Sequence, residues 1–385
     1  MKEKLIKIAA ASLLMASTSA NAEWSITSLG TLGAPSSVAK DINNLGQVVG
    51  YLNEGAKAFV TEANGAYMIE LLGGPHTAFG INDSGQVTGH NRSNHAFITD
   101  TNGTGITDLG TLGGTSSSYS TGYSVGLAIN NSGQVTGYSY VDSNYSTHAF
   151  ITGSNGVGMT DLGTLGGRES YATDINDSGQ VVGYSNPLRS GILHAFITGP
   201  NGIGMTDLGT LGGYYSYATG INNSGQVTGF SEDISNNYIA FITDANGTSM
   251  TSIGTLGGAR SWANDINDSG QIVGWSDTAT ERAHPFLYSD GVMIDLMQLA
   301  PVIEAGWDWL QPEAINNLGQ IVGHGSLNGG DRQAFLLSPL DIPEFPIVGP
   351  LPPLPIPSVP EPSTYALLLA GLGLLFFRTK TELNS

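Results

Sequence analysis

The chain has 385 residues, with 13 Lys and Arg against 32 Asp and Glu, which gives a formal net charge of −19. This acidity argues against sequence-independent binding to nucleic acid, which requires a basic surface. The chain contains no cysteine, so disulfides, thiolate metal sites and thiol nucleophiles are excluded. Its 54 glycines and 12% charged residues disfavour long helices and favour short strands joined by tight turns.

Residues 1–22 have the three parts of a secretory signal peptide. A start with three lysines precedes an apolar run from Ile8 to Ala16, and a small-x-small cleavage site ends at Ala22. We therefore predict that the chain is exported and that the exported protein begins at Glu23.

Residues 23–340 consist of seven copies of one sequence repeat. The phrase Ile-Asn-x-x-Gly-Gln begins at residues 42, 81, 129, 175, 221, 266 and 315, at spacings of 39 to 49 residues. A second phrase, usually His-Ala-Phe, and a third, usually Leu-Gly-Thr-Leu-Gly-Gly, also recur seven times. Repeats of this length match the blades of a β-propeller.

The fourth unit illustrates the predicted blade. Strands are expected over 171–176, 180–185, 194–198 and 205–208, with an Asp-Ser-Gly turn after the first strand and an Asn-Gly turn after the third. Glycine and asparagine favour hairpin turns because they tolerate positive φ angles. A β-solenoid coil needs about half as many residues and is the alternative fold.

The order of the phrases predicts how the repeat closes. The chain begins with a Leu-Gly phrase, over 24–33, and the last unit ends on an Ala-Phe phrase with no Leu-Gly phrase after it. The N-terminal strand is therefore expected to complete the last blade, which removes the open edge of the array. We predict an all-β, seven-bladed β-propeller of four-stranded blades over residues 23–340.

The phrases resemble the HAF repeat family of probable extracellular proteins, named for the His-Ala-Phe that begins at His95, His148 and His194. The resemblance covers Trp24 to Leu337. It implies an extracellular repeat protein and little about activity.

The composition of the C-terminal region predicts a signal for sorting within the cell envelope. A proline-rich linker over 341–358 precedes a segment over 359–385 that contains Pro360-Glu361-Pro362, an apolar run over 364–377 and Arg378. This segment resembles the PEP-CTERM sorting signal of Gram-negative bacteria. The resemblance implies transient inner-membrane retention through 364–377, processing by an exosortase-type enzyme, and a surface or matrix location in bacteria that make exopolysaccharide. The apolar run has 14 residues, fewer than the roughly 20 that span a bilayer, and a plain C-terminal anchor is the alternative.

Groups that recur in every unit are expected to specify the fold. The asparagine of each Ile-Asn phrase is predicted to hydrogen-bond its turn, and the histidine before Ala-Phe to be a satisfied structural residue. The segments at Asp174 and Asp265 begin like calcium-binding loops but offer Ser185 and Ser276 where the ligating glutamate belongs. Opportunistic calcium binding is the alternative; we expect no metal, no cofactor and no catalytic residue.

Chain segments of variable length are expected to mark the binding face. The Gln-to-Phe and Leu-to-Ile intervals vary between units, and antiparallel pairing puts both on one face of the propeller. A ring residue follows the second-strand glycine in every unit, as Tyr51, His90, Tyr138, Tyr184, Phe230, Trp275 and His324. Packing between blades is the alternative role for these rings. Flat rings in adjoining loops predict a polysaccharide site at Tyr214, Tyr215, Trp262, Trp307 and Trp309.

These features predict a non-enzymatic surface or matrix protein that binds exopolysaccharide. One alternative is a polysaccharide lyase or hydrolase, which would need two unrepeated carboxylates facing one cleft. The candidates on the variable side are Glu169, Glu232, Asp233, Glu281, Glu304 and Asp308. The other alternative is a protein–protein scaffold.

Overall fold

A computed structural model describes residues 23–71, 75–103, 105–113, 122–142, 146–187, 191–280 and 282–340. The predicted signal peptide (1–22), linker (341–358) and sorting signal (359–385), including Pro360, Glu361, Pro362 and Arg378, lie outside the described residues. The described strands form seven sheets of four strands each. The predicted all-β, seven-bladed propeller is confirmed.

The strands are assigned to blades in chain order. Blade 1 contains β2 (Ser37–Ile42), β3 (Val48–Leu52), β4 (Lys57–Thr61) and β5 (Met68–Glu70). Blade 2 contains β6 (Pro75–Ile81), β7 (Val87–Asn91), β8 (Ala96–Thr99) and β9 (Ile106–Gly110). Blade 3 contains β10 (Ser124–Ile129), β11 (Val135–Tyr140), β12 (Thr147–Thr152) and β13 (Met159–Asp161). Blade 4 contains β14 (Gly166–Ile175), β15 (Val181–Pro187), β16 (His194–Thr198) and β17 (Met205–Asp207).

The remaining blades follow the same order. Blade 5 contains β18 (Gly212–Ile221), β19 (Val227–Asp233), β20 (Tyr238–Thr243) and β21 (Met250–Gly254). Blade 6 contains β22 (Gly257–Ile266), β23 (Ile272–Thr278), β24 (Ala283–Ser289) and β25 (Val292–Asp295). Blade 7 contains β26 (Trp307–Ile315), β27 (Ile321–Leu327), β28 (Arg332–Leu340) and β1 (Glu23–Gly30).

Blade 7 closes the propeller in the predicted way. β1 pairs antiparallel with β28, from Glu23 opposite Leu340 to Gly30 opposite Ala334. The first strand of every blade contacts the first strands of both neighbouring blades, and the contact of β26 with β2 completes the circle. The seven first strands therefore surround the central axis.

Two kinds of tight turn define one end of the propeller. In blade 4 the turn after β14 has Gly179 at φ +77°, and the turn after β16 has Asn201 at φ +55°. The amide of Gly202 donates to the carbonyl of Gly179 at 3.0 Å, which ties the two turns together. We call this end the constant-turn face and the opposite end the variable-loop face.

Short helices occur in turns and in one crossover. The 3-10 helices are Ala63–Gly65, Thr101–Gly103, Ser154–Gly156, Pro200–Gly202, Ala245–Gly247 and Leu296–Gln298. The one α-helix in the described chain, α1 (Ala300–Ala305), lies in the crossover from blade 6 to blade 7 and was not predicted. None of the described helices is long and apolar enough to cross a membrane.

The core lies between blades and explains the repeated phrases. The phenylalanine of the second phrase is fully buried in every blade, as Phe59, Phe97, Phe150, Phe196, Phe241, Phe286 and Phe335. A neighbouring glycine allows close strand approach: a Cβ on Gly183 would lie 1.9 Å from the carbonyl oxygen of Tyr171.

The first strands of blades 4, 5 and 6 are longer than predicted. They begin at Gly166, Gly212 and Gly257, inside the Leu-Gly phrase. Part of the segment expected to be a variable loop is therefore strand, and it pairs with the extended end of the second strand.

Candidate ligand-binding face

A closed ring of hydrogen bonds lies at the constant-turn face. The side-chain amide of each Ile-Asn asparagine donates to the main-chain carbonyl of the equivalent asparagine in the next blade, at 3.0 to 3.1 Å. The members are Asn43, Asn82, Asn130, Asn176, Asn222, Asn267 and Asn316. Each side-chain oxygen also accepts an amide of its own turn. The predicted turn role is confirmed, and the asparagines also join the blades.

The following residue forms a second ring in which Asn and Asp alternate except at one step. Its members are Asn44, Asp83, Asn131, Asp177, Asn223, Asp268 and Asn317. Each main-chain amide donates to the side chain of the next blade at 2.8 to 3.0 Å. This second ring and the Ile-Asn residues of all seven blades line a cavity of about 160 Å³. The polar side chains of the ring accept hydrogen bonds from main-chain amides of neighbouring blades, which is a structural role.

Three aspartates of the first strands also link blades. The carboxylate of Asp41 accepts the amides of Ile42 and, in the next blade, Ile81. Asp174 and Asp265 make the equivalent pairs of bonds. The accepted hydrogen bonds lower the pKa of these carboxyl groups, but the loss of solvation on burial has the larger effect. Burial raises the pKa of Asp41 to about 7 and that of Asp265 to about 6. Burial and the nearby charge of Asp265 together raise the pKa of Asp174.

The histidines before Ala-Phe have carboxylate partners in the outermost strand. His148 Nδ1 lies 2.8 Å from Asp161, and equivalent pairs are His95–Asp108, His194–Asp207 and His284–Asp295. In blade 1 the same place holds Lys57 and Glu70, 2.9 Å apart. Across the described chain, no group of three His, Cys, Asp or Glu side chains is arranged to hold a metal ion.

The variable-loop face carries a continuous arc of aromatic rings over blades 3 to 6, which we call the aromatic arc. Neighbouring ring centroids lie 3.7 to 6.5 Å apart along the arc. In order, its members are Tyr138, Tyr171, Tyr184, Tyr217, Phe230, Trp262 and Trp275. All seven are half-buried. The rings therefore pack between blades, and the same rings retain accessible surface.

Between blades 5 and 6, further side chains pack beside the rings of the arc. The rings of Trp262 and Trp275 stack at 3.7 Å with an interplanar angle of 14°. Tyr238 contacts Trp262 from the neighbouring blade, with ring centroids 6.3 Å apart. The guanidinium of Arg260 lies 5.3 Å from the Trp262 ring centre, and its Nε donates to Asp277 at 2.8 Å.

The tyrosines of the arc are neutral at physiological pH. Burial raises the pKa of Tyr184 and of Tyr217 to about 12 in each case, with smaller contributions from neighbouring tyrosines. Burial also raises the pKa of Tyr138. The arc thus offers apolar ring surface and phenol hydroxyls without charge.

The structure places the five predicted ligand residues differently. Trp262 belongs to the arc, Tyr215 is half-buried in blade 5, and Tyr214 is 62% exposed. Trp309 is 41% exposed in blade 7. Trp307 is 5% exposed and packs against Phe335 in the core, so its ring offers no ligand surface and is left out of the site.

Blades 7, 1 and 2 differ from the arc, which sequence periodicity did not reveal. In blade 2, His90 stacks against His76 with ring centroids 6.1 Å apart and lies 2.6 Å from the hydroxyl of Thr77. Between blades 7 and 1, Lys40 forms an ion pair with Glu313 at 2.5 Å. The place of His90 holds a larger aromatic ring in five other blades, and the places of Lys40 and Glu313 hold uncharged residues in the other blades.

Three of the carboxylates considered for catalysis serve local structure. Glu232 accepts the amide of Tyr214, Asp233 accepts the amides of Ser235 and Asn237, and Asp308 accepts the amide of Gly329. Glu281 lies outside the described residues.

Comparison with known proteins identifies a sorting motif and a partial family match. Residues 358–380 match the PEP-CTERM protein-sorting motif, which indicates export to the cell envelope or surface and sorting by an exosortase. Residues 204–301 match a family described as a protein of unknown function (DUF3466). No curated protein matches the chain. The resemblance to the HAF repeat family stays a prediction.

Solved structures share the propeller fold at low sequence identity. "YCF48 bound to D1 peptide" is 13% identical with a TM-score of 0.50, over 83% of this chain and 97% of that one. A "puromycin hydrolase S511A mutant complexed with PGG" is 11% identical with a TM-score of 0.52, over 75% of this chain and 50% of that one. "TolB from Acinetobacter baumannii" is 11% identical with a TM-score of 0.45, over 78% and 79% of the two chains. At such identities the likeness to the first two structures concerns the fold alone.

Proposed function

We propose that this protein is an exported, non-enzymatic binding module of the cell surface or extracellular matrix, and that its variable-loop face binds exopolysaccharide. The observation that carries the proposal is the aromatic arc. Seven half-buried rings follow one another across four blades. Extended ring surface suits the apolar faces of successive sugar units.

The charges around the arc favour a neutral polysaccharide. Arg260 is already paired with Asp277, and the tyrosines of the arc are uncharged. The chain as a whole has a formal charge of −19, which disfavours a densely anionic polymer.

The first and last strands of the propeller end away from the arc. β28 ends at Leu340 on the constant-turn face, where it pairs with Glu23. The sorting motif at residues 358–380 follows this strand in the sequence. Processing there by an exosortase-type enzyme would release the propeller into the polymer layer or leave it tethered within that layer.

The roles of the unrepeated carboxylates support binding over catalysis. Glu232 accepts a strand amide in blade 5 and Asp308 accepts a loop amide in blade 7, whereas a glycosidase would use such groups as acid or base. A retaining or inverting pair requires two carboxyl groups within about 10 Å of each other across one sugar bond.

The test is retention of the exported protein on immobilised neutral and acidic exopolysaccharides, with reducing ends assayed in the same samples. We expect retention on neutral polymers without new reducing ends. The Trp262→Ala and Tyr214→Ala variants should bind about tenfold more weakly, since aromatic anchors dominate such interfaces. Tyr67→Ala is the control, because Tyr67 is 80% exposed beside a turn of the constant-turn face.

Each outcome has a definite meaning. New reducing ends would replace the proposal by a polysaccharide lyase or hydrolase. Unchanged binding by Trp262→Ala would reject the arc as the site, and unchanged binding by Tyr214→Ala would remove this exposed ring from it. No retention on any polymer would leave the protein–protein scaffold as the function to pursue.

A further inference from the structure

A cluster of four polar side chains and one indole lies at the seam between blades 7 and 1. We call it the seam site. Its members lie on β2, β26 and β27, and they are Lys40, Trp309, Gln311, Glu313 and His324. At the positions of Lys40 and Glu313 the other blades carry Phe79, Leu127, Thr173, Thr219 and Asn264. Thr173, Thr219 and Asn264 donate to a main-chain carbonyl of the next blade. At the seam two charged side chains bond each other instead.

The centre of the seam site is a partly buried ion pair. Lys40 Nζ donates to Glu313 Oε2 at 2.5 Å, and Gln311 Nε2 lies 3.5 Å from Glu313 Oε1. The side chains of Lys40 and Glu313 are 25% and 14% exposed. Both partners therefore remain reachable from solvent while being fixed in place.

His324 adds a buried polar atom that lacks a partner. The residue is 6% exposed, and its Nδ1 makes no hydrogen bond within the described residues. This nitrogen lies 3.4 Å from Glu313 Oε1, where the geometry does not make a hydrogen bond. Burial, together with the charges of Arg332 and Lys40, lowers the pKa of His324 to about 3. The imidazole ring is therefore neutral at physiological pH. Buried polar atoms are normally satisfied, so this nitrogen distinguishes the seam from the rest of the described core.

Trp309 supplies apolar surface at the same site. Its ring meets the His324 ring edge to face, with centroids 5.7 Å apart and an interplanar angle of 90°. The side chain is 41% exposed, so part of the indole is available to a ligand. An exposed indole beside fixed hydrogen-bonding groups is the arrangement that ligand pockets use for orientation.

We infer that the seam site binds one neutral hexose unit through two adjacent hydroxyl groups, with the Trp309 indole against the sugar. Glu313 accepts a hydrogen bond from one hydroxyl, and Lys40 donates to the oxygen of the next. A uronic acid or phosphate would meet the Glu313 carboxylate and be disfavoured. This inference rests on the proposed function, because it names the sugar class and a second contact region of the propeller.

The first test uses substitutions and matched controls in the exported protein. Glu313→Gln keeps the size of the side chain and removes the ion pair, and it should weaken binding of a neutral oligosaccharide about tenfold, as expected when a charged hydrogen bond is lost. Glu70→Gln is the control, because Lys57 and Glu70 form the same kind of pair on outer strands. Its affinity should stay within about twofold of the parent.

The second test needs no substitution at the seam. The chain has seven histidines, so their imidazole NMR signals are few enough to assign. Addition of a methyl hexopyranoside should shift the signals of His324 and leave those of His148 unchanged.

The outcomes separate this inference from the proposed function. Loss of binding in Trp262→Ala with full binding in Glu313→Gln, or no shift of His324, overturns the seam site and leaves the arc. Full binding in Trp262→Ala with loss in Glu313→Gln rejects the arc and supports the seam site. Equal losses in Glu313→Gln and Glu70→Gln overturn the inference, because they show a general effect of charge.

Discussion

The side-chain amide of Asn316 donates to the main-chain carbonyl of Asn43 at 3.0 Å, across 273 residues of sequence. This bond joins the last Ile-Asn turn to the first and closes a ring to which every blade contributes one asparagine. The same residue that shapes a local turn thus also joins its blade to the next one, which explains its presence in all seven units.

Asn176→Ala should destabilise the propeller by about 2–4 kcal/mol. The side chain is buried, donates to Gln180 and to the Asn222 carbonyl, and accepts two amides of its own turn. Alanine would leave several of these groups buried without partners. Chemical denaturation measures the free energy of unfolding. Asn223→Ala is the control, because Asn223 is an exposed member of the second ring. It should lower the free energy of unfolding by less than about 1 kcal/mol. Equal losses in the two variants would contradict a special role for the ring of Ile-Asn asparagines.

A chain that begins at Thr31, without β1, should lose stability and self-associate. β1 covers the edge of β28 over seven paired positions and brings Trp24 and Ile26 against the core. Without it, blade 7 has three strands and an open edge that can pair with another molecule. Analytical ultracentrifugation and thermal unfolding, compared with the exported protein, measure both effects. A monomeric and equally stable truncated chain would show that closure by β1 is dispensable.

The free energy of unfolding should fall as the pH rises from about 4 to about 7. The pKa of Asp41 is raised to about 7 and that of Asp265 to about 6 in the folded protein, chiefly by burial. The folded state therefore holds protons that the unfolded state has released, so stability is greatest at the acidic end of this range and declines toward neutral pH. Denaturation at several pH values measures the slope.

Asp41→Asn provides the matched variant for the pH profile. The asparagine does not titrate, so the slope between pH 4 and 7 should become shallower even if the variant is less stable at every pH. Asp177→Asn is the control, since Asp177 belongs to the second ring, in which Asn and Asp alternate, and is exposed. A slope unchanged in Asp41→Asn would contradict the assignment to this carboxyl group.

Chelation of divalent metals should leave the unfolding temperature unchanged. In the segment once considered for calcium, the two oxygens of Asp174 accept the amides of Ile175 and Ile221, and the side chain of Asn176 is committed to its ring. Few oxygens remain to bind calcium, which requires six to eight. Scanning calorimetry with EDTA and with millimolar calcium tests this. A rise of several degrees with calcium would reveal a site.

Much of the architecture was predictable because it is local and repeated. The Asn-Gly turns, the buried phenylalanine at residues such as Phe196 and the glycines such as Gly183 recur at fixed offsets, so seven blades could be counted from sequence. The phase of the phrases also predicted that β1 completes blade 7. The helix α1 was missed because it interrupts one crossover and has no counterpart in the other repeats.

The candidate site was predicted less completely because ring exposure depends on packing. The sequence placed Trp307 and Trp309 in one loop, yet β26 turns the first into the core and leaves the second exposed. It pointed to rings on the variable-loop face but did not order them into an arc, since Tyr184 and Tyr217 meet only when neighbouring blades pack.

The sequence by itself determined the number of blades, their strand order and the closure, because each is written into a repeated local pattern of turns and apolar residues. Only the tertiary structure decided that Lys40 meets Glu313, that the alternating Asn and Asp residues form a ring, and that His324 is buried without a partner. These relationships depend on which side chains face one another once neighbouring blades pack. Lys40 and Glu313 lie 273 residues apart and meet because closure brings the first and last blades together, and a repeated local pattern does not specify such a pair.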